Sequence, residues 1–397
     1  MRQVDVAVVG AGPVGTVAAA ALLQRGISAA VFEAGKAVAS DLRASTFHPP
    51  TLEMLETLGI IDDMLAYGLK APVYHLRERS TGDTVAFDMG ELAGDTRFPF
   101  RLQCEQHVMS GMLAERIAAQ PEPVISFEHR VVAFEQDETG VTLALETPVA
   151  IEKVRARYVI AADGGNSITR KWLGATFDGF TYPEKFLCLS TERDLAGDIP
   201  GLAYVNYVSD PEEWLVLLRT PNVWRVLVPV DATSDDALLL ADSTRDDVFA
   251  RLIGEPQVPT THRTIYRVHQ RVVERFCHDR ICLVGDAAHL NNPLGGFGMN
   301  SGIHDVWSLV DVLAGALDGG HDADALAHWD RQRHAVTHAF IQAQSMQNKR
   351  FIEQGAAAGH AARFEAMRAT RDDPDERRAY LLRQSMIQSL RDAADVA

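Results

Sequence analysis

Cysteine is scarce in this 397-residue chain: Cys104, Cys188, Cys277 and Cys282 are scattered, with no Cys-x-x-Cys pair. That usage reads as a reducing cytoplasm, and no charged-then-apolar leader follows Met1. No apolar run approaches the roughly 20 residues needed to cross a bilayer, so any membrane association is expected to be peripheral. Basic residues are also in short supply, 38 against 54 acidic ones, giving a formal net charge of −16. Such a surface repels phosphate backbones and anionic lipid, so neither nucleic acid nor a membrane is an expected partner. There is no repeat or low-complexity tract. No His-Glu-x-x-His or Cys/His cluster has metal-binding spacing, so no metal site is expected, and no Gly-x-Ser-x-Gly turn offers a serine nucleophile. Apolar and charged residues stand at 47% and 23%, which excludes disorder, collagen and coiled coil and leaves a folded protein.

The length suggests two or three structural units. The chain opens on Val4-Asp5-Val6-Ala7-Val8-Val9, a short apolar run, followed by Gly10-Ala11-Gly12-Pro13-Val14-Gly15 and an Ala/Leu-rich stretch to about Arg25. That order predicts strand, turn and helix, with Gly26 ending the helix and a second strand at residues 28–33. Gly-x-Gly-x-x-Gly alone is a weak signal; here it sits between strand and helix and is followed eighteen residues after Gly15 by Glu33. Gly10 permits the tight turn, Gly12 lets a pyrophosphate approach the backbone, and Gly15 allows close helix–strand packing. The helix N-terminus adds a favourable dipole. Glu33 would accept hydrogen bonds from adenosine ribose hydroxyls, and an acid there disfavours a 2′-phosphate. The resident dinucleotide is therefore expected to be FAD or NAD rather than NADP.

Two more strands end in carboxylate turns: residues 158–162 run into Asp163-Gly164, and residues 280–284 into Gly285-Asp286. Between them, residues 184 to 270 alternate in a β-like way, which predicts an inserted sheet-rich domain that residues 73 to 89 could join. After Asn300 the pattern is helical nearly to the end, with Ile303, Val306, Trp307, Val310 and Leu313 on one face. Leu382, Met386 and Leu390 then repeat at four-residue spacing, as either a helix packed on its own domain or a dimer contact.

Arg280 to Asn300 reads RICLVGDAAHLNNPLGGFGMN, and Asp163 to Arg170 reads DGGNSITR. Both stretches resemble the signatures of FAD-dependent aromatic monooxygenases of the p-hydroxybenzoate hydroxylase type. The resemblance also takes in Gly10 to Gly15, Glu33, Arg43-Ala44-Ser45-Thr46, and Gln106 leading into a helix, so it spans roughly residues 4 to 345. It implies an α/β fold: a Rossmann-like FAD-binding domain (1–72, 98–178 and 271–345), an inserted β-rich substrate domain (73–97 and 179–270) and a helical C-terminal segment (346–397). It implies that Asp286 contacts the ribityl chain and pyrophosphate region of FAD, with Arg43 and Gln106 approaching from the other side and Asp163 a structural and nucleotide-side acid. Pro13, Val14 and Val132 join the expected cofactor contacts. Gly296, Gly298, Met299 and Asn300 would lie where the loop 293–300 meets the isoalloxazine edge; a helix start can stabilise negative charge there.

The activity implied is NAD(P)H-dependent hydroxylation of an activated aromatic or heteroaromatic ring, in which reduced flavin and O₂ form a C4a-hydroperoxide. His48, Pro293 and Arg225 are the candidates for catalytic contacts, while His289 reads better as a packed interior residue. Tyr204, Asn206, Tyr207, Arg219, Trp224 and Arg225 are expected on strands roofing the pocket. NADH or NADPH would bind transiently, since no second glycine fingerprint follows residue 33. A monomer or homodimer is expected. Two rival readings stay open at this point: a reductase or dehydrogenase on the same fold that inserts no oxygen, and a nucleotide-binding protein without activity.

Overall fold

The computed structural model describes residues 1–40, 44–209, 214–319, 321–353 and 360–397. The opening strand forms over Arg2–Val9 and its helix over Pro13–Gln24. Pro13 suits the first helical turn, where its missing N–H would have no partner. Gly26, at φ +73, ends that helix. The strand then pairs in parallel with Ala29–Phe32 on one side and Ile151–Ala161 on the other; Ile281–Leu283 adds beyond the latter. Chain order thus reverses direction across the sheet at Arg2–Val9, and such a switch point opens a crevice at the carboxyl ends of the strands. Gly10, Glu33, Asp163 and Gly285 follow those four ends side by side.

The sheet has eight strands, with the hairpin Arg130–Asp137 and Gly140–Glu146 laid antiparallel against Ile151–Ala161. A 23-residue helix, Phe297–Gly319, covers its other flank and packs on Pro13–Gln24 around Val17, Ala21, Ile303, Val306 and Val310. Close approach is possible because Gly302 faces Gly285 and Val14: a Cβ at Gly302 would lie 2.7 Å from the Val14 side chain and 2.8 Å from Gly285 Cα.

A second eight-stranded sheet is mostly antiparallel, and its two longest strands, Phe177–Thr191 and His262–Val273, lie side by side. Val73–Glu78 and Thr84–Asp88 enter it from early in the chain, Val73–Glu78 lying parallel to Val205–Ser209. Period-two alternation separates its faces. Leu215, Leu217, Trp224, Val226 and Val228 pack outward on Val248 and Phe249 of the helix Asp242–Ile253. Trp214, Val216, Leu227 and Val268 pack inward.

The C-terminal segment is broken rather than continuous: Pro374–Gln384 ends, Met386 takes φ +65, and Ile387–Ala394 begins. Leu382 packs with Tyr74 and Phe87, and Met386 with Phe297 and Phe340, so both cover this chain's own lobes. Cys277 and Cys282 are joined in a disulfide, whereas Cys104 and Cys188 are free and buried. Cys277–His278 turns straight back on Ile281–Leu283, which places Cys277 opposite Cys282. Among the described residues, no helix is long and apolar enough to cross a membrane, and no group of three or more His, Cys, Asp or Glu could hold a metal.

Candidate active site

The first turn is held by its own residues. Gly10 has φ +97, and a Cβ there would come within 2.6 Å of Ala162 O. A Cβ on Gly15 would lie 1.9 Å from Gly10 O, so that position admits only glycine. Gly12 differs: its φ of −72 suits any residue, and a Cβ would meet nothing within 4 Å. A Cβ there would enter open space at a helix N-terminus, where backbone donors can meet an anion. Glu33 Oε2 accepts from Ala11 N at 2.7 Å and Oε1 from Gly35 N at 2.7 Å, so the acid also ties the glycine turn to the strand end. At the neighbouring strand end, Asp163 Oδ2 accepts from the Thr169 N–H and hydroxyl, both at 3.0 Å. Its Oδ1 is buried without a protein partner and can accept from a ligand.

Asp286 is exposed between buried neighbours on the Gly285–Ala287 turn and lines a cavity of about 600 Å³. Such a volume suits a small-molecule site. Pro293, Gly296, Gly298 and Met299 form one side of it with Ser45 and Thr46. Gly296 accepts the conformation at φ +72 and presses on Thr46, whose Cβ would stand 3.1 Å from an added Cβ. Asn300 does not line the cavity. Its amide donates to Thr46 O at 2.9 Å and to Gly296 O at 2.7 Å, fastening the loop to the short strand Thr46–Phe47.

The inward face of the second sheet forms the opposite wall, with Tyr207, Val216, Leu218, Arg225, Leu227 and Tyr266. Arg225, 2% exposed, donates to Tyr266 Oη at 3.0 Å, Ser45 Oγ at 3.2 Å and Cys188 Sγ at 3.6 Å. A buried cation thus meets apolar side chains, while Arg267, His269 and Arg271 of the strand His262–Val273 add polar groups to the same lining. Behind Tyr207, Arg101 is also buried; it donates to the Tyr207 hydroxyl at 3.4 Å and stacks on the Tyr74 ring at 4.5 Å.

Several expected residues lie elsewhere. His48 is fully buried under the loop rather than facing the cavity: Nε2 bonds Gly295 O at 2.8 Å, and the His48 backbone N–H donates to Asn300 Oδ1 at 3.0 Å. Burial, then the Arg101 charge, pushes its pKa well below 6.5, so a neutral ring holds the loop and cannot touch a substrate in the cavity. Trp224 and Asn206 point to the outer face, Arg219 stacks on Trp224, and Tyr204 is exposed just before its strand. Of the six expected roof residues, only Tyr207 and Arg225 reach the cavity. One-residue parity explains this, because adjacent strand positions face opposite ways. Val132 is the extra residue of a β-bulge, skipped where Leu145 pairs Val131 and Ala144 pairs Ala133; it lies off the cavity. Gln106 starts a helix with its N–H on Ala44 O at 3.0 Å. Arg43 lies outside the described residues. Val216, Leu218, Leu227 and Tyr266 were missed by sequence reasoning, although they share the inward parity that Arg225 sets.

The family model described as FAD binding domain matches residues 3–344. The chain belongs to this FAD-binding family. Para-nitrophenol 4-monooxygenase of Pseudomonas sp. (strain WBC-3) is 33% identical over 344 residues, covering 85% of this chain and 84% of that protein. 6-Hydroxy-3-succinoylpyridine 3-monooxygenase HspB of Pseudomonas putida (strain DSM 28022 / S16) is 32% identical over 343 residues, covering 84% of each. The crystal structure of p-nitrophenol 4-monooxygenase PnpA from Pseudomonas putida DLL-E4 superposes with a TM-score of 0.91 at 29% identity, covering 98% of this chain and 99% of that one. The chain is thus an FAD-dependent aromatic monooxygenase, and hydroxylation prevails over the reductase reading. FAD fits the residues present: the open space at Gly12, the Asp163 Oδ1 without a protein partner and the exposed Asp286 follow the ends of neighbouring parallel strands, and Asp286 lines the cavity.

Proposed function

We propose that this enzyme hydroxylates a small phenol or hydroxylated N-heteroaromatic ring carrying negative charge, with O₂ as the oxygen source and NADH or NADPH as a transient reductant. The observation that carries the substrate class is the Arg225 guanidinium set among Val216, Leu218 and Leu227, opposite the glycine loop. An apolar wall accepts a ring face, and a buried arginine attracts an oxygen anion through a charge-assisted hydrogen bond. The names of the para-nitrophenol and hydroxypyridine relatives support the same two ring classes.

Bound FAD would supply the reduction of O₂ and the transfer of one oxygen atom to the ring. The chain's residues bind and orient. Gly10, Gly12, Pro13, Val14 and Gly15 would receive the pyrophosphate, Glu33 the adenosine ribose, Asp286 the ribityl hydroxyls, and Gly296, Gly298 and Met299 the ring edge. Asp163 offers Oδ1 on the nucleotide side, with Gln106, Arg43 and Val132 in supporting places. Asn300 and His48 hold the loop that meets the ring. Arg225 orients the substrate oxygen, with Pro293 as part of the wall, and Val216, Leu218 and Leu227 keep water from that side of the reacting centre. In this reading residues 1–72, 98–178 and 271–345 form the FAD lobe, 73–97 and 179–270 the substrate lobe, and 346–397 their helical cover. The protein would act in the cytoplasm as a monomer or homodimer, with no nucleic-acid or membrane partner.

The test is a screen of substituted phenols and hydroxypyridines for stimulated NAD(P)H oxidation by the FAD-loaded enzyme, with ¹⁸O₂ in the headspace. A turnover-competent ring is expected to accelerate anaerobic flavin reduction by roughly tenfold, equivalent to about 1.4 kcal/mol in the barrier. It should also carry ¹⁸O into the product. Stimulation only by neutral, non-ionisable aromatics would overturn the proposed substrate class.

A further inference from the structure

Asp305 sits on the helix Phe297–Gly319, fully buried, away from the cavity wall. Its Oδ2 accepts from Gly285 N at 3.0 Å and from His289 Nε2 at 2.8 Å; its Oδ1 accepts from Arg333 Nε at 2.7 Å. The side chains of His289, Asp305 and Arg333 are 0%, 0% and 3% exposed. Burial alone would push the Asp305 carboxyl up, but Arg333 and His289 hold it well below the usual carboxylate range, so it is charged.

A buried ion network of this kind is weak evidence for stability, since apolar residues of equal volume commonly serve a core as well or better. What it supplies is direction. Gly285 takes φ +57, packed against Val14 on the side where a Cβ would point. Its N–H is drawn inward to Asp305, and the next residue, Asp286, emerges on the opposite side into the cavity while Val284, Ala287 and Ala288 stay buried. The same carboxylate belongs to the helix whose N-terminus carries Gly298, so one group ties together two segments that border the cavity.

We propose that Asp305, oriented by His289 and Arg333, is a positioning residue for Asp286 and thereby for the ribityl side of the cofactor. This rests on the reading that Asp286 faces bound FAD. Asp305 touches neither cofactor nor substrate; it acts by fixing the Gly285 amide and with it the exit direction of the Asp286 side chain.

The experiment is a double-mutant cycle read as FAD release from the purified holoenzyme on dilution, followed by flavin fluorescence. Asp305→Asn and His289→Leu are each combined with Asp286→Ala. Each positioning variant alone should weaken FAD binding by roughly tenfold, the scale of one lost charge-assisted hydrogen bond. Asp286→Ala should do the same or more, and neither positioning change should add loss once Asp286 is alanine. A merely structural role would give multiplying effects, because general loosening does not depend on the residue at 286. Multiplying losses, or single variants within about twofold of the parent, overturn the proposal. If Asp286→Ala itself leaves FAD affinity unchanged, the reading of Asp286 fails and the positioning role falls with it. If Asp286→Ala weakens FAD while Asp305→Asn and His289→Leu do not, only the positioning role fails. Should Asp305→Asn not fold, the His289→Leu cycle has the same outcomes.

Discussion

Gly12→Ala separates the cofactor's demand on the first turn from the fold's own demand. The backbone at Gly12, φ −72 and ψ −174, is open to alanine, and the added methyl meets no protein atom within 4 Å. Gly12 is also the N-cap of Pro13–Gln24, where alanine is less favourable than glycine by about 0.7 kcal/mol, the typical alanine cost less the few tenths lost by glycine. Reduced freedom of the unfolded chain returns about 0.4 to 1 kcal/mol. Net stability should therefore change by no more than about 0.5 kcal/mol, close to the noise of a urea titration. The methyl does fill the opening assigned to the pyrophosphate, so the phosphates must withdraw from the helix N-terminus and FAD affinity should fall by roughly tenfold or more, about 1.4 kcal/mol. Gly15→Ala makes the contrast: its methyl overlaps Gly10 O at 1.9 Å, so the protein itself should be destabilised. The assay pairs urea unfolding of the apoprotein with FAD titration by fluorescence quenching. Unchanged FAD affinity in a Gly12→Ala protein of parental stability would refute the placement of the pyrophosphate.

Arg225→Met removes the cavity's buried guanidinium, worth about 1.5 to 3 kcal/mol in a charge-assisted hydrogen bond, so 4-nitrophenolate should bind the oxidised holoenzyme at least roughly tenfold more weakly. Equal loss for the anion and for neutral nitrobenzene, measured by flavin absorbance perturbation, would show that Arg225 acts through packing alone. Leu227→Ala should raise KM for the ring substrate, whereas Trp224→Phe, one face away, should lower stability and leave KM unchanged. Steady-state kinetics beside thermal unfolding decide this, and a KM effect at Trp224 would contradict the face assignment. His48 and His304 are buried and their pKa values are lowered, that of His304 to about 3, burial being the first cause in both. Unfolding lets both rings regain their ordinary pKa near 6.5, so the unfolded state binds more protons and stability falls as pH drops from about 6.5 toward 4. The limiting slope is about 1.4 kcal/mol per pH unit for each ring, and His304→Gln should flatten it. An unchanged urea-midpoint profile from pH 7.5 to 4.5 would remove His304 from the account.

Much of the nucleotide half is legible in the sequence because its signals are local. The run 4–9, the glycine turn and the helix ending at Gly26 need no tertiary information, and they match Arg2–Val9 and Pro13–Gln24. The carboxylate turns at Asp163 and Asp286 are legible for the same reason: each follows a buried strand. The substrate wall is less so. Alternation predicts strands there without saying which parity faces in, so Trp224 and Arg225 are indistinguishable until both sheet faces are built. His48 misleads for a related reason: its proximity to Arg43 in sequence carries no information about the loop 295–300, which buries it from the far end of the chain. Asp305 and Arg333 are likewise invisible, because their pairing joins two helices and a turn that nothing in the local pattern connects.

Phe177–Thr191 and His262–Val273, paired along most of their length, carry the chain out of the first lobe and back again. The excursion therefore begins and ends at adjacent points, stitched by hydrogen bonds instead of left as two loose connections. At the root of this ribbon Gly179 has φ +140, and a Cβ there would lie 1.9 Å from Gln270 O, so the strands are in contact where they leave. In polymer terms the long excursion is a loop already closed at its neck, and added length farther out carries only a logarithmic entropic penalty. The segment between the two long strands is thus a cassette: evolution or an engineer can lengthen or trim its connections as long as Val205–Ser209 keeps its pairing with Val73–Glu78, which reaches the sheet from earlier in the chain.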